Sequence, residues 1–319
     1  MYFPIAGVYL PWAYVPLLGL MVGILGGFWG IGGGWVMTLG LYVSGVPMPF
    51  AVGTSLAYIL GQSVLASLRH RKFGHMDMRI GLGITGGMAV GVELGARIVE
   101  ALKRSGEVEG AIGGLYLVFL GVVGGFTLWE SWRARKGIEG VALWGPVHRA
   151  RRFGLPPVLP TSEGPISLWI LVGSGLAVGM LVGVLGVGGG FVMLPLLVYG
   201  LGLSTHTAVG TSVFTVALTG AFATFSHGIR GNIDLEMALL LFSGAVVGTQ
   251  LGAFATRRAR GTYIRLGFGA MVSAAFCSMV LKLVGFEDIA LWVLLGTAVL
   301  MSSAIVGSLV RFGKARNKP

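Results

Sequence analysis

The sequence predicts an all-α, polytopic integral membrane protein, built from two related halves and one extra C-terminal helix. Hydrophobic residues make up 55% of the 319 residues and charged residues only 11%, which is too little charge for the surface of a soluble domain of this length. Apolar runs such as 111–129 and 291–310 approach the ~20 residues that a membrane-spanning helix needs. The 56 glycines suit membrane helices that pack closely through small residues.

The two halves are recognised by a pair of motifs that occurs twice. The sequence Gly-Ile-Gly-Gly-Gly at 30–34 reappears as Gly-Val-Gly-Gly-Gly at 186–190, an offset of 156 (186 − 30). The sequence Ala-Val-Gly-Thr-Ser at 51–55 reappears unchanged at 208–212, an offset of 157 (208 − 51). This match at nearly constant spacing indicates an internal duplication. Further equivalent pairs at the second offset are His70 with His227, Gly74 with Gly231 and Asp77 with Asp234.

The duplication divides the chain into four parts. These are a first transmembrane repeat at 1–131, a basic cytoplasmic linker at 132–165, a second repeat at 166–284, and an extra transmembrane helix with a basic cytoplasmic tail at 285–319. Spanning helices are predicted near 50–69, 80–102, 111–131, 206–227, 236–256, 263–284 and 290–310. Segments 11–45 and 166–204 are each too long for one span, and a glycine cluster interrupts each of them. We expect a helix, a break and a shorter returning helix in both.

The distribution of basic residues predicts the orientation. Basic residues are enriched in cytoplasmic loops, and the loop 69–79, the linker, the segment 257–260 and the C-terminal tail are all basic. Placing these parts inside puts the N-terminus outside, the C-terminus inside and the two repeats in opposite orientations. Inverted repeats of this kind recur in secondary transporters, with the substrate site at their interface. Five basic residues do not fit the inner face: Arg97, Lys103, Arg104, Arg230 and Lys282.

The two glycine clusters are the first candidate site. Without side chains the backbone can break a helix and approach a ligand closely, and a helix that begins after the break points N–H groups with partial positive charge at an anion. The alternative interpretation is close helix packing. The predicted substrate-binding glycines are Gly32, Gly33, Gly34, Gly188, Gly189 and Gly190.

The repeated Thr-Ser pairs are the second candidate. Thr54 and Ser55, and their equivalents Thr211 and Ser212, stand near the start of apolar helices. Their hydroxyl groups can donate to an oxyanion, or they can cap the helix and bond to its backbone. Both roles are compatible, and both remain open at this point. Weaker candidates further along the same helices are Gln62, Ser63, Thr215 and Thr219.

Three ionisable residues in or beside the spans are functional candidates. Glu93 is the carboxylate deepest in a predicted span, and a proton-coupling role competes with an i,i+4 ion pair to Arg97. His70 and His227 occupy equivalent helix ends, where a histidine can respond to pH, contact an anion, or simply end the helix. No spacing of histidines, carboxylates or the single Cys277 resembles a metal site. A Walker A loop is also missing, so no metal, cofactor or ATP is expected.

At the paired motifs the sequence resembles the TauE/SafE sulfite exporter family, over about residues 11–284. The resemblance implies a polytopic permease for sulfite, sulfoacetate or other organosulfonates in a bacterial cytoplasmic membrane. Its implied partners are a small sulfur-containing anion and the lipid bilayer, without nucleic acid, and a homo-oligomer stays open. The alternatives are a carrier of another small anion, such as a carboxylate, and a membrane scaffold that recruits a sulfur-metabolising enzyme. An enzyme is not expected, because no acid, base and nucleophile set occurs in the spans.

Overall fold

The computed structural model describes residues 1–135, 156–161, 164–186, 188–259 and 261–316. Helices dominate this part of the chain, together with two short antiparallel hairpins. The α-helices are α1 (Tyr14–Trp29), α2 (Gly34–Val43), α3 (Met48–Lys72), α4 (Met78–Ser105), α5 (Val108–Arg135), α6 (Leu168–Leu185), α7 (Gly190–Pro195), α8 (Thr205–Gly228), α9 (Leu235–Thr256), α10 (Gly261–Leu283) and α11 (Glu287–Arg316), and a π-helical segment (Leu196–Gly200) follows α7. The hairpins are β1 (Tyr2–Phe3) with β2 (Val8–Tyr9) and β3 (Val158–Thr161) with β4 (Gly164–Ser167).

The predicted fold class is confirmed as a polytopic helical membrane protein. Among the described residues, eight helices are long and apolar enough to cross a bilayer, namely α3–α6 and α8–α11. Each of the seven predicted spans begins one to three residues earlier in the structure than predicted, and the span predicted at 263–284 ends one residue earlier, at Leu283. The span predicted at 80–102, for example, begins after Asp77, whose side chain accepts hydrogen bonds from the N–H groups of Arg79 and Ile80.

Each half packs one long helix against a broken segment of the other half. In the pair α1–α9, a Cβ atom added to Gly23 would lie 2.9 Å from the Cα atom of Ala245. In the equivalent pair α4–α6, a Cβ atom added to Gly95 would lie 2.8 Å from the Cα atom of Gly183. Small residues on both partners allow this approach, which maximises van der Waals contact between helices in a bilayer. Much of the glycine excess therefore serves helix packing between the halves.

Helices α3 and α8, which carry the Thr-Ser pairs, pack against each other. The start of α3 is joined to the residues after α8, because the Asp234 N–H donates to the hydroxyl oxygen of Thr54 at 3.0 Å. The start of α8 is joined to the residues after α3, because the Asp77 N–H donates to Thr211 at 2.9 Å. The two equivalent helices therefore run in opposite directions past each other.

The remaining elements surround this core. The predicted linker at 132–165 lies largely outside the described residues. At its edges α5 continues to Arg135, and the β3–β4 hairpin precedes α6. The Arg79 guanidinium joins this hairpin to the start of α4 by donating to the Pro160 carbonyl oxygen at 2.7 Å. The extra helix α11 packs against α10 and α1, with the Ser302 hydroxyl 3.4 Å from the Met21 carbonyl oxygen.

Candidate functional site

The two glycine clusters break their helices in the same way. α1 ends at Trp29 and α2 begins at Gly34, while α6 ends at Leu185 and α7 begins at Gly190. The glycines between them adopt a positive φ, a conformation that other L-residues rarely tolerate. Their φ values are 68°, 71° and 66° at Gly30, Gly32 and Gly33, and 66°, 71° and 76° at Gly186, Gly188 and Gly189. The repeat in sequence is thus a repeat in backbone conformation.

The two breaks meet at the interface of the halves. A Cβ atom added to Gly190 would overlap with the backbone of Ile31, between Gly30 and Gly32. Each cluster also lies against the Ala-Val-Gly-Thr-Ser motif of the other half, Gly30 against Val209 and Gly186 against Val52. The segments that carry the ten predicted substrate-binding residues are therefore brought together, and all ten residues are buried.

The carbonyl end of α1 is satisfied by side chains. With Nε2 protonated, His70 donates to the Gly27 carbonyl oxygen at 3.2 Å, and the Thr256 hydroxyl donates to that of Phe28 at 2.6 Å. The Gln62 amide, oriented with its nitrogen toward a carbonyl, donates to Gly32 at 2.8 Å and accepts from the Gly27 N–H at 3.2 Å.

The carbonyl end of α6 is satisfied in a parallel manner. His227 Nε2 lies 2.9 Å from the Gly183 carbonyl oxygen, the same contact that His70 makes in the first half. The Tyr116 hydroxyl donates to Leu185 at 2.8 Å. The Gly186 carbonyl oxygen lies 3.2 Å from the hydroxyl oxygens of both Thr38 and Ser55. Both histidines are thus placed as caps for helix carbonyl groups, one of the roles open from sequence.

The amide ends of α2 and α7 are treated differently. Neither helix has a side-chain cap at its N-terminus. The first backbone hydrogen bond of α2 runs from the Met37 N–H to the Gly33 carbonyl oxygen at 3.0 Å. The first of α7 runs from the Val192 N–H to the Gly189 carbonyl oxygen at 3.2 Å. The earlier N–H groups of a helix have no partner within it and carry partial positive charge. Side-chain donors therefore bond the carbonyl ends at the breaks, whereas the amide ends have no side-chain cap.

The four hydroxyl groups of the Thr-Ser pairs have unequal surroundings. Thr54 and Thr211 accept backbone N–H groups from the opposite half, so they cap residues of the other repeat rather than their own helix. Ser55 contacts the Val52 carbonyl oxygen at 2.8 Å and the Thr38 hydroxyl at 2.6 Å. The buried Ser212 hydroxyl has no partner in the described part of the chain. Ligand contact by Ser212 stays a prediction.

Ser63, named as a weaker candidate, also has a buried hydroxyl without a partner among the described residues. A Cβ atom added to Gly32 would lie 3.0 Å from this oxygen. Ser63 thus points at the first glycine break. Gln62 bonds the same break, whereas the hydroxyl of Thr215 donates to the Thr211 carbonyl of its own helix at 2.9 Å.

Glu93 lies away from the glycine breaks. Its carboxylate accepts from Arg97 at 2.8 Å on its own helix, and from Arg230 at 2.9 Å and Ser226 at 2.9 Å at the end of α8. The ion pair between Glu93 and Arg97, which the sequence offered as the alternative to proton coupling, is therefore present. Arg230 of the other half adds a second ion pair to the same carboxylate. Gln250 takes the equivalent position in the second half and accepts from Arg69 Nε. A proton-coupling role for Glu93 stays a prediction.

Sequence reasoning missed two residues at the breaks, Thr38 and Tyr116. Both are buried and bond the end of the second half's broken helix. The duplication gave no signal for Thr38, because Leu194 stands at the equivalent position. The available signal was a lone hydroxyl one helical turn after Gly34 in an otherwise apolar helix.

Comparisons with known proteins agree with this architecture. The family model described as "Sulfite exporter TauE/SafE" matches residues 15–279. The probable membrane transporter protein YunE of Bacillus subtilis is 28% identical over 254 residues, covering 76% of this chain and 87% of the relative. The probable membrane transporter protein MJ0441 of Methanocaldococcus jannaschii is 23% identical over 281 residues, covering 83% and 94%. No solved structure gives a significant match.

The match covers both glycine clusters, both Thr-Ser pairs and nearly all of the two halves. The relatives are matched over most of their own length, and each is named as a probable membrane transporter. Together with the eight apolar helices, these comparisons show a multi-pass membrane transporter, and the chain belongs to the TauE/SafE sulfite exporter family.

Proposed function

We propose that this chain is a secondary transporter that carries a small anion, sulfite or an organosulfonate, across the bacterial cytoplasmic membrane. The observation that carries the proposal is the meeting of the two glycine breaks, where Gly190 lies against Ile31 at the interface of the halves. Substrate sites of secondary transporters lie at such interfaces and use discontinuous helices. Transport, rather than catalysis, is the activity that this arrangement supports.

The polarity of the breaks supports an anion as the cargo. The side chains that face the helix ends at the breaks donate to carbonyl groups, and the amide ends stay without side-chain caps. The hydroxyl groups of Ser63 and Ser212 add two buried donors. Helix N-termini with hydroxyl donors bind oxyanions without a buried lysine. The choice of a sulfur oxyanion follows the family, because these donors suit other small oxyanions equally well.

Alternating access is the mechanism that we infer for an interface site of this kind. The site residues are buried, so the halves must move relative to each other to expose them to each side in turn. The antiparallel crossing of α3 and α8 supports an inverted relation between the repeats. The contact of the Ala6 N–H with Asp234 Oδ2 at 3.3 Å supports an outer N-terminus, because it places the N-terminal segment beside the turn after α8.

Transport is tested with purified protein in proteoliposomes. Radiolabelled sulfite is supplied outside, and unlabelled sulfonates and carboxylates are added as competitors. The proposal expects protein-dependent sulfite uptake that sulfonates inhibit. Uptake of carboxylates in place of sulfur anions would move the assignment to the other anion class. If correctly folded protein carries neither, the transporter proposal is refuted and the scaffold alternative gains support.

A further inference from the structure

An open cavity of about 640 Å³ lies at the end of α4, beside the turn that follows α8. It is lined by Arg97, Glu100, Ala101, Arg104, Ile229 and Arg230. We propose that this cavity is an anion-binding vestibule, which collects a small oxyanion at the outer face before the oxyanion reaches the glycine breaks. Its place in transport rests on the function proposed above, whereas its anion binding does not.

The charge distribution along the sequence points to the same place. Five basic residues depart from the inner-face bias of the others, and three of them line this cavity. A fourth, Lys103, lies next to it and donates to the Asn232 side chain at 2.9 Å. Basic residues are disfavoured in outer loops, so four exceptions gathered at one site indicate a use for positive charge there.

Arg230 forms the fixed wall of the vestibule. Its side chain is only 15% exposed. Nη1 donates to the Ser226 carbonyl oxygen at 2.5 Å and to the Ser226 hydroxyl at 2.7 Å, while Nη2 donates to Glu93 at 2.9 Å. A guanidinium group held in this way keeps its charge in place without further loss of side-chain entropy when an anion arrives.

Arg97 and Arg104 form the open wall. They lie two helical turns apart on one face of α4, and their side chains are 71% and 79% exposed. Each uses Nε for a carboxylate, at 2.8 Å to Glu93 and 3.4 Å to Glu100. Their terminal nitrogen atoms bond no other described residue. These planar groups match the oxygen atoms of sulfite, a sulfonate or a phosphate.

The second repeat holds different residues at the positions equivalent to this cavity. At the repeat offset of 157, Phe254 stands in place of Arg97, Arg257 in place of Glu100 and Gly261 in place of Arg104. Arg257 stacks over the Phe73 ring at 5.3 Å, and Arg258 stacks over the Phe254 ring at 4.2 Å. Gln250 replaces Glu93. Because Gly261 replaces Arg104 and the guanidinium groups of Arg257 and Arg258 lie over aromatic rings, the second repeat lacks the two open arginines of the vestibule, and we expect the vestibule to act on outside anion only.

The test measures sulfite uptake in proteoliposomes as a function of outside sulfite concentration. The double variant Arg97→Gln/Arg104→Gln should raise the apparent KM by ~3–10-fold at low ionic strength, with little change in the maximal rate, because a charged vestibule raises the local anion concentration. The difference should shrink at ~0.5 M salt, where exposed charges are screened. The matched control is Arg71→Gln/Lys72→Gln, which removes two exposed charges at the other end of the spans.

Two failures are distinguishable in this experiment. A KM that is unchanged in the double variant, with wild-type uptake intact, overturns the vestibule. Absence of wild-type uptake overturns the transport proposal instead, and binding of radiolabelled sulfite to detergent-solubilised protein then decides on the vestibule. Wild type should bind more sulfite than the double variant, and equal binding would refute the site.

Sidedness is tested by restoring charge. In a Cys277→Ser background, Arg104→Cys in spheroplasts is treated with membrane-impermeant thiosulfonates. A reagent that adds a quaternary ammonium should restore the wild-type KM, and one that adds a sulfonate should not. Restoration by both reagents, or by neither, contradicts a requirement for outer positive charge.

A lipid phosphate offers the same chemistry as a free oxyanion. Liposomes of phosphatidylcholine are therefore compared with liposomes that also contain phosphatidylglycerol. If phosphatidylglycerol raises the KM of wild type toward that of the double variant, a lipid headgroup occupies the vestibule. A KM difference that is equal in both lipids assigns it to the soluble anion.

Discussion

The hydroxyl oxygen of Thr54 accepts a hydrogen bond from the backbone N–H of Asp234, 180 positions later in the chain, at 3.0 Å. The equivalent bond in the other direction joins Thr211 to the N–H of Asp77 at 2.9 Å. Each threonine therefore satisfies a buried backbone donor of the opposite half. The two Ala-Val-Gly-Thr-Ser motifs, which lie against the glycine breaks of the opposite halves, therefore also join the halves to each other.

Replacing Thr54 with valine should destabilise the protein by about 1–3 kcal/mol, because the change keeps the side-chain shape and leaves the buried Asp234 N–H without an acceptor. The measurement is reversible unfolding in detergent. Thr54→Ser keeps the hydroxyl group and should restore most of the loss. If the valine variant is as stable as wild type, the bond does not contribute to joining the halves.

The two serines of the repeated pairs should respond differently to alanine. Ser55→Ala removes a hydroxyl that bonds Thr38 and backbone carbonyl groups, so unfolding should become easier. Ser212→Ala removes a buried hydroxyl without a partner in the described structure, so stability should be unchanged or higher. Sulfite uptake should nevertheless fall in Ser212→Ala, because a ligand donor is lost. Full uptake by this variant would exclude Ser212 from the site.

Glu93→Gln should retain sulfite uptake and its response to a pH gradient. The carboxylate is committed to Arg97, Arg230 and Ser226 rather than to the glycine breaks. Because the Glu93 side chain is 35% exposed, we expect a stability loss of no more than ~1 kcal/mol. Uptake is measured with and without an imposed pH gradient. Loss of the gradient response in the variant alone would assign a proton-coupling role to Glu93.

His75, in the turn between α3 and α4, should make stability depend on pH. Burial, and then the nearby charges of His206 and Arg257, lower the pKa of His75 below its ordinary value of 6.5. The unfolded chain therefore takes up this proton first as the pH falls. The stability contribution of neutral His75 is present above about pH 6.5 and is lost below it, toward the lowered pKa.

The measurement for His75 is the thermal midpoint at about pH 7.5 and about pH 5.5, on either side of the ordinary pKa. Wild type should lose more stability on acidification than His75→Gln, which cannot gain a charge at this position. An identical loss in the two proteins would show that the proton is taken up equally in the folded and unfolded states.

Much of the fold could be predicted because its signals are local. Apolar runs predicted the spanning helices, and glycine clusters in over-long segments predicted the breaks between α1 and α2 and between α6 and α7. The packing partners could not be predicted, because nothing local states that α1 lies against α9 or α4 against α6. Those pairs depend on complementary small-residue faces that are distant in sequence.

The same limit applies to the site. Thr54 was predicted as a ligand or as a cap of its own helix, but its partner Asp234 belongs to the other half. Glu93 was predicted with Arg97, four residues away, while Arg230 lies 137 positions later. The sequence identifies side chains that are able to bond a ligand. Tertiary contacts between the halves decide which of these side chains are already bonded within the protein. Ser212 and Ser63 are available because their hydroxyl groups stay unpaired in the described structure.

The central claim is that the glycine breaks bind and pass the anion, and Gly32→Ala tests it most directly. Its Cβ atom would lie 2.9 Å from Val216 Cγ1, at a φ of +71°, where alanine is strained by ~1–2 kcal/mol. Gly173→Ala is the matched control, because its Cβ atom would enter open space on α6.

The measurement is the initial rate of radiolabelled sulfite uptake into proteoliposomes, at equal amounts of folded protein. Uptake should fall at least tenfold in Gly32→Ala, because about 1.4 kcal/mol of strain corresponds to a factor of ten in rate. In Gly173→Ala the uptake should stay at the wild-type rate. Wild-type uptake by a folded Gly32→Ala variant would contradict the claim and leave the glycines with a packing role only.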